Sequence, residues 1–222
     1  EVAECMQTLF RGNSLSSKIM TFCFKQLGTE YLVNLVSPLM RDMGQRDQNH
    51  ISYEVDPTRL DPGENLEENQ KNLITVTELF YNKIVNSVES FPTRLRCLCH
   101  CLYQVINHRF QQSSPEQILT VLSTVIFLRF FNPAVISPLE SGLLEYEPSQ
   151  RMKRGLTLMG KMMQNIANQL LFTKEAHMRV FNDFLQRHFD SCSHAKARCW
   201  MQPSASVVMP GLSSNAWAAG GL

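Results

Sequence analysis

Residues 114–133 read SPEQILTVLSTVIFLRFFNP, and this stretch points most directly to the fold class. Ser114, Pro115 and Gln117 make a helix start: Ser as N-cap, Pro where its missing N–H costs nothing, Gln able to reach back to the cap. Residues 117–131 are then apolar on nearly every side, and a helix without a polar face belongs in the middle of a bundle. One charge interrupts it. Arg129 comes three and four residues after Ile126 and Val125, so it is predicted on the buried face with Leu122. An unpaired guanidinium there would cost several kcal/mol, about the penalty for any buried lone charge, so it must meet carbonyls or a carboxylate. A structural ion pair is the commoner arrangement; a loop organised by five donors is the other. Pro133 is predicted to end the helix.

Helical periodicity continues on both sides of this segment. Met152, Leu156, Met159, Met163, Ile166 and Leu170 keep helical spacing, and a last helix carries Met178, Phe181, Leu185 and Phe189. Upstream, Leu66, Leu73, Val76, Phe80, Ile84 and Val88 mark a long amphipathic helix, and Pro92 opens another with Leu95, Leu98, Leu102, Val105 and Ile106. Leu15, Ile19, Phe22 and Cys23 share a face of an earlier helix that Gly28 is placed to end. Tyr31, Leu32, Leu35 and Leu39 suggest a short successor, and residues 41–65, with Pro57, Pro62 and Gly63, read as a long loop. No alternating strand pattern emerges. The expected fold is an all-α helical bundle.

The 222 residues suit one large or two small domains, and 44% hydrophobic residues supply a substantial core. Lys+Arg at 21 against Asp+Glu at 20 argues against a bulk nucleic-acid binder. No uninterrupted run of 18 apolar residues occurs, so no membrane span is expected. Seven cysteines, mostly in helical segments, point to free thiols in a reducing cytoplasm. Residues 191–222 contain no acidic residue and end in MPGLSSNAWAAGGL, which reads as a disordered tail.

Three places could carry chemistry. At residues 9–14, LFRGNS puts Arg11 on a tight connection, with Gly12 and Asn13 able to take unusual backbone geometry and Ser14 able to cap the next helix. The second place is Arg129. The third is the polar face of residues 151–170, with Arg154, Thr157, Lys161, Asn165 and Asn168 but no carboxylate, either a solvated face or a dock for an acidic partner. CLCHC (Cys97, Cys99, His100, Cys101) is not read as a metal site, because Cys99 points away from the Cys97/Cys101 face. No phosphate loop, HExxH or GxSxG is present, so no nucleotide site is expected in the chain itself.

LFRGNSLSSKIM, FLRFFNPAVISP and RGLTLMGKMMQNIANQLLFTKEAHM resemble, in this order, the signature segments of Ras GTPase-activating (RasGAP) domains. EVDPTRLDPGENLEENQ and FPTRLRCLCHCLYQV look like the neurofibromin type within that family. The resemblance covers residues 1–190, implies an incomplete N-terminus because the family has further helices upstream, and leaves 191–222 as an unrelated tail. It implies an activator of GTP hydrolysis by GTP-bound Ras, acting at the inner face of membranes, with no cofactor of its own because Ras binds GTP and Mg²⁺. On this resemblance Arg11 is the arginine finger and Arg129 steadies its loop. Leu128, Asn132, Pro133, Lys161 and Asn168 line or support the Ras groove. Thr157 stands where the neurofibromin type has a lysine. The alternatives are a Ras-binding scaffold of the IQGAP kind, which resembles this fold without the finger, and an inactive truncated isoform.

Overall fold

The structure, a computed structural model, describes residues 9–189. Its helices are α1 (Leu15–Gln48), α2 (Leu66–Val85), α3 (Thr93–Arg109), α4 (Pro115–Ile126), α5 (Asn132–Ile136), α6 (Gln150–Asn168) and α7 (Asn182–Phe189). A π-helical turn, Phe127–Phe131, joins α4 to α5, and no strand occurs among the described residues. The all-α bundle is as expected, while the tail at 191–222 lies outside the described residues.

The α4 start forms as read. Ser114 Oγ accepts from the Gln117 N–H at 3.2 Å, and Gln117 Oε1 accepts from the Ser114 N–H at 2.9 Å. Ile118, Leu119, Leu122, Val125 and Ile126 are buried, so α4 is the central helix. By length and composition, Pro115–Ile136 could cross a membrane, which a count of uninterrupted apolar residues misses. However, 78% of its apolar window is buried inside the protein, as befits a core helix. Pro133 does not end the helix. The π turn before it closes with the Asn132 N–H on the Phe127 carbonyl, and α5 runs on to Ile136.

The beginning of the chain differs most from expectation. Leu15–Gln48 is one helix, running through both Gly28 and Pro38, and the loop after it is shorter than predicted. Gly28 serves close packing rather than termination. A Cβ there would lie 2.4 Å from Phe130 Cζ and 2.9 Å from Leu95 Cδ1, both too close for non-bonded neighbours to tolerate without shifting. The predicted apolar face is also the wrong one. Leu15, Ile19 and Phe22 are exposed, whereas Ser17, Met20, Phe24 and Gly28 face the core.

On α3, Cys99 alone of CLCHC is buried, and burial pushes its thiol up to about 12. Cys101 is exposed and Cys97 half-buried, so the three thiols do not share a face. The apolar spacing of α6 reads correctly through Ile166; Leu170 lies beyond the helix end, where Gln169 turns left-handed, and is exposed. Helix α6 packs against α2, α4, α5 and α7, which fixes one face and leaves the polar one open.

Candidate functional site

Arg11 sits in the turn just before α1, exposed, and its side chain makes no hydrogen bond or ion pair among the described residues. Its neighbours are fixed. Leu9 and Phe10 are buried, and Ser14 caps α1 by accepting from the Ser17 N–H at 3.2 Å. The residue with left-handed backbone is Phe10, at φ +58°, rather than Gly12 or Asn13.

Arg129 holds this turn from behind. Its Nε and Nη2 donate to the Phe10 carbonyl at 2.9 and 2.5 Å, and Nη2 also donates to the Gly12 carbonyl at 2.7 Å. The two bonded carbonyls bracket Arg11. The specific partner that Arg129 was expected to need is therefore a pair of backbone carbonyls, not a carboxylate. Arg129 is half-buried rather than buried with Leu122, because the π turn shifts the register after Ile126.

Asn132, on the next turn, is buried and donates to Gln164 Oε1 at 2.8 Å. Gln164 Nε2 in turn donates to Asn168 Oδ1 at 2.9 Å and to the Thr124 carbonyl at 3.3 Å. This amide chain brings Asn132 and Asn168 together through a residue that the sequence pattern did not single out. Pro133 is exposed and lines a small hollow with Thr21, Lys25 and Arg129; Leu128 is half-buried.

The polar face of α6 is less basic than its sequence suggests, because carboxylates from elsewhere neutralise it. Lys161 Nζ donates to both oxygens of Glu175 at 2.9 and 3.0 Å, beside a cleft of about 290 Å³ that also borders Gln164 and Lys174. Arg154 forks onto Glu54, with Nε to Oε2 and Nη2 to Oε1 both at 2.9 Å. Glu54 also accepts the Val55 and Asp56 N–H groups at 3.0 Å each, and Arg59 lies 3.7 Å away. Burial of Glu54 opposes its ionisation most strongly of any single influence. The Arg154 fork, the Asp56 N–H and the Arg59 charge together outweigh it and hold the carboxyl below its ordinary value. Thr157 donates to the Lys153 carbonyl at 2.8 Å and lines, with Arg151 and Arg154, a larger polar cleft of about 790 Å³.

Chemically, the arrangement is one solvated, permanently charged group held out on a braced turn, beside a half-neutralised polar groove. Such a group can enter another molecule's site and stabilise developing negative charge there.

Residues 61–168 match the family described as GTPase-activator protein for Ras-like GTPase. The chain is 34% identical over 179 residues to the probable Ras GTPase-activating-like protein ngap of Dictyostelium discoideum, covering 80% of this chain and 20% of that protein. It is 35% identical over 185 residues to Ras GTPase-activating protein gap-2 of Caenorhabditis elegans, covering 82% and 15% respectively. Against human Ras GTPase-activating protein nGAP the identity is 34% over 182 residues, again 82% and 15%. The chain thus spans a fifth or less of the length of these relatives.

Proposed function

We propose that this chain, whose residues 61–168 match the GTPase-activator family for Ras-like GTPases, accelerates GTP hydrolysis by a GTP-bound Ras-family protein, with Arg11 as the arginine finger. The observation that carries this reading is the Arg129 fork on the Phe10 and Gly12 carbonyls, which leaves the Arg11 side chain outside and unengaged among the described residues. A loop arginine that mattered only to the fold would be expected to bond within it.

As the γ-phosphoryl group moves to water, negative charge gathers on the bridging and γ-oxygens. A guanidinium stays charged at any physiological pH and directs donors to both positions. Entry into the partner's site expels water, which strengthens the attraction. Ras contributes GTP, Mg²⁺ and the glutamine that orients the attacking water, so this chain needs no nucleotide site. The roughly 10⁵-fold acceleration known for Ras with an activating partner corresponds to about 7 kcal/mol. Lysine, a point charge, would serve poorly because it does not fork.

On this reading, Leu128, Pro133 and the Asn132–Gln164–Asn168 amide chain form the wall against which the partner docks. Lys161, tied to Glu175, shapes the groove instead of supplying a free charge. We take the domain to be of the neurofibromin type, on the segments at 54–70 and 91–105, and to work in the cytoplasm at membranes that anchor Ras.

Single-turnover GTP hydrolysis by Ras tests the proposal, with this protein and with Arg11→Ala. The variant should bind Ras normally and lose roughly 10³-fold or more of the acceleration. Equal stimulation by both would remove the finger assignment. Binding without stimulation by either would mark a scaffold.

A further inference from the structure

Phe10 is the strained residue of the Arg11 turn. At φ +58° it occupies the left-handed region, which bulky L-residues avoid because Cβ crowds the backbone carbonyl. The more permissive neighbour is not used: Gly12 has no positive φ, and a Cβ built on it would meet nothing within 4 Å. The strain persists because the surroundings hold it. The Phe10 ring is buried, Leu9 beside it is buried, and two Arg129 donors converge on the Phe10 carbonyl. The next residue is Arg11, exposed.

We propose that Phe10 is a positioning residue for Arg11: its left-handed backbone aims the finger, and its buried ring locks that geometry. This rests on the reading of Arg11 as the finger. Glycine at position 10 would reach the same backbone geometry but lose the ring that restricts it, leaving the turn free to wander. A β-branched residue would keep apolar contact and resist the left-handed geometry. The two substitutions therefore separate aiming from burial, since burial ranks Val above Gly and aiming ranks Gly above Val.

The test is Ras-stimulation kinetics on the full chain for Phe10→Gly and Phe10→Val, with melting curves for each. The expected result is a kcat loss of about tenfold for Gly and about tenfold more for Val, the added factor being the left-handed penalty. KM for Ras should stay within about threefold of wild type, because docking uses the groove. A Val variant as active as Gly, or losses confined to KM, would overturn the proposal. Phe10→Asn and Phe10→Leu repeat the contrast with less lost volume: Asn tolerates left-handed backbone although polar, Leu resists it although apolar. Asn at least as active as Leu supports the aiming role of Phe10, and the reverse order refutes it. Arg11→Ala distinguishes the two failures. If it stimulates like wild type, the finger reading falls; if it is inactive while Val matches Gly, only the positioning role of Phe10 falls.

Discussion

Replacing Arg129 by alanine tests whether the turn before α1 is held by this one side chain. The guanidinium reaches two carbonyls, with two donors on Phe10 and one on Gly12. A hydrogen bond to a charged group contributes about 1.5–3 kcal/mol. The two donors on Phe10 share one acceptor, and the Gly12 contact is solvent-exposed, so the pair of contacts is worth about 2–4 kcal/mol in total. Against it stands the left-handed Phe10 backbone, which costs about 1–2 kcal/mol. Without Arg129 the turn loses its main support, and the fraction of molecules with Arg11 aimed falls about 30- to 1,000-fold. Buried Leu9 and Phe10 retain part of the geometry, so the expected loss of single-turnover acceleration is about 10²-fold. On the proposed function, affinity for GTP-loaded Ras should fall less than about fivefold, because Arg129 bonds the turn and not the Asn132–Gln164–Asn168 amide chain. Melting should drop by no more than a few degrees, because the turn lies at the edge of the core. Arg129→Lys should lie between, keeping the charge but losing the fork. A rate within about threefold of wild type would refute the reasoning, as would a loss that appears wholly in affinity.

Three further outcomes are expected. Gly28→Ala drives a methyl group into the Phe130 ring and Leu95, and should destabilise by about 1–3 kcal/mol, read as a lower Tm by calorimetry. Glu54 is held below its ordinary carboxyl value of 4.5, so its stabilisation is complete above about that pH and is lost as pH falls through the lower folded-state value. Melting curves from pH 7 to pH 3 should show this acid-side loss in wild type and a smaller one in Glu54→Gln, and identical profiles would show that the Arg154 fork adds nothing. Thr157→Lys adds a positive charge to the polar cleft and, on the proposed function, should raise the association rate with Ras a few-fold at low salt, an advantage that disappears in high salt.

The bundle was legible because burial of α4 and α6 is written locally, in the SPEQ start and in regular apolar spacing. Helix α1 shows the limit of that reading. Its core side is Ser17, Met20, Phe24 and Gly28, while Leu15, Ile19 and Phe22 face outward. Periodicity finds a stripe but does not say which side the rest of the molecule occupies. Ser17 and Gly28 look wrong for a core until the Phe130 ring is seen against Gly28. The groove was misjudged for a related reason. The carboxylates that neutralise Arg154 and Lys161 come from Glu54, 100 residues away, and Glu175, 14 residues away past the end of α6. A helix read alone shows its own charges and not those brought to it by the fold. Gln164 could have been found, since it lies four residues before Asn168 at helical spacing.

Arg129 joins what was legible to what was not. Continued as an ordinary α-helix, the chain would set Arg129 in line with Val125 and Ile126, both almost fully buried. The π turn inserts extra backbone after Ile126, so Phe127, Phe130 and Phe131 remain in the core while Leu128 and Arg129 emerge to half-exposure. That displacement makes the simple periodic reading of Arg129 wrong, and it also brings the guanidinium to the Phe10 and Gly12 carbonyls. Phe130, adjacent in sequence, stacks on Phe24 at 5.4 Å and lies against Gly28, so the backbone that carries Arg129 is clamped to α1. Support therefore passes from α1 through Phe130 and Arg129 to the Phe10 carbonyl, and only then to Arg11. Partial exposure is an advantage in this position. The charge keeps some of its hydration, so bracing the turn does not incur the full cost of burying an ion without a counter-charge.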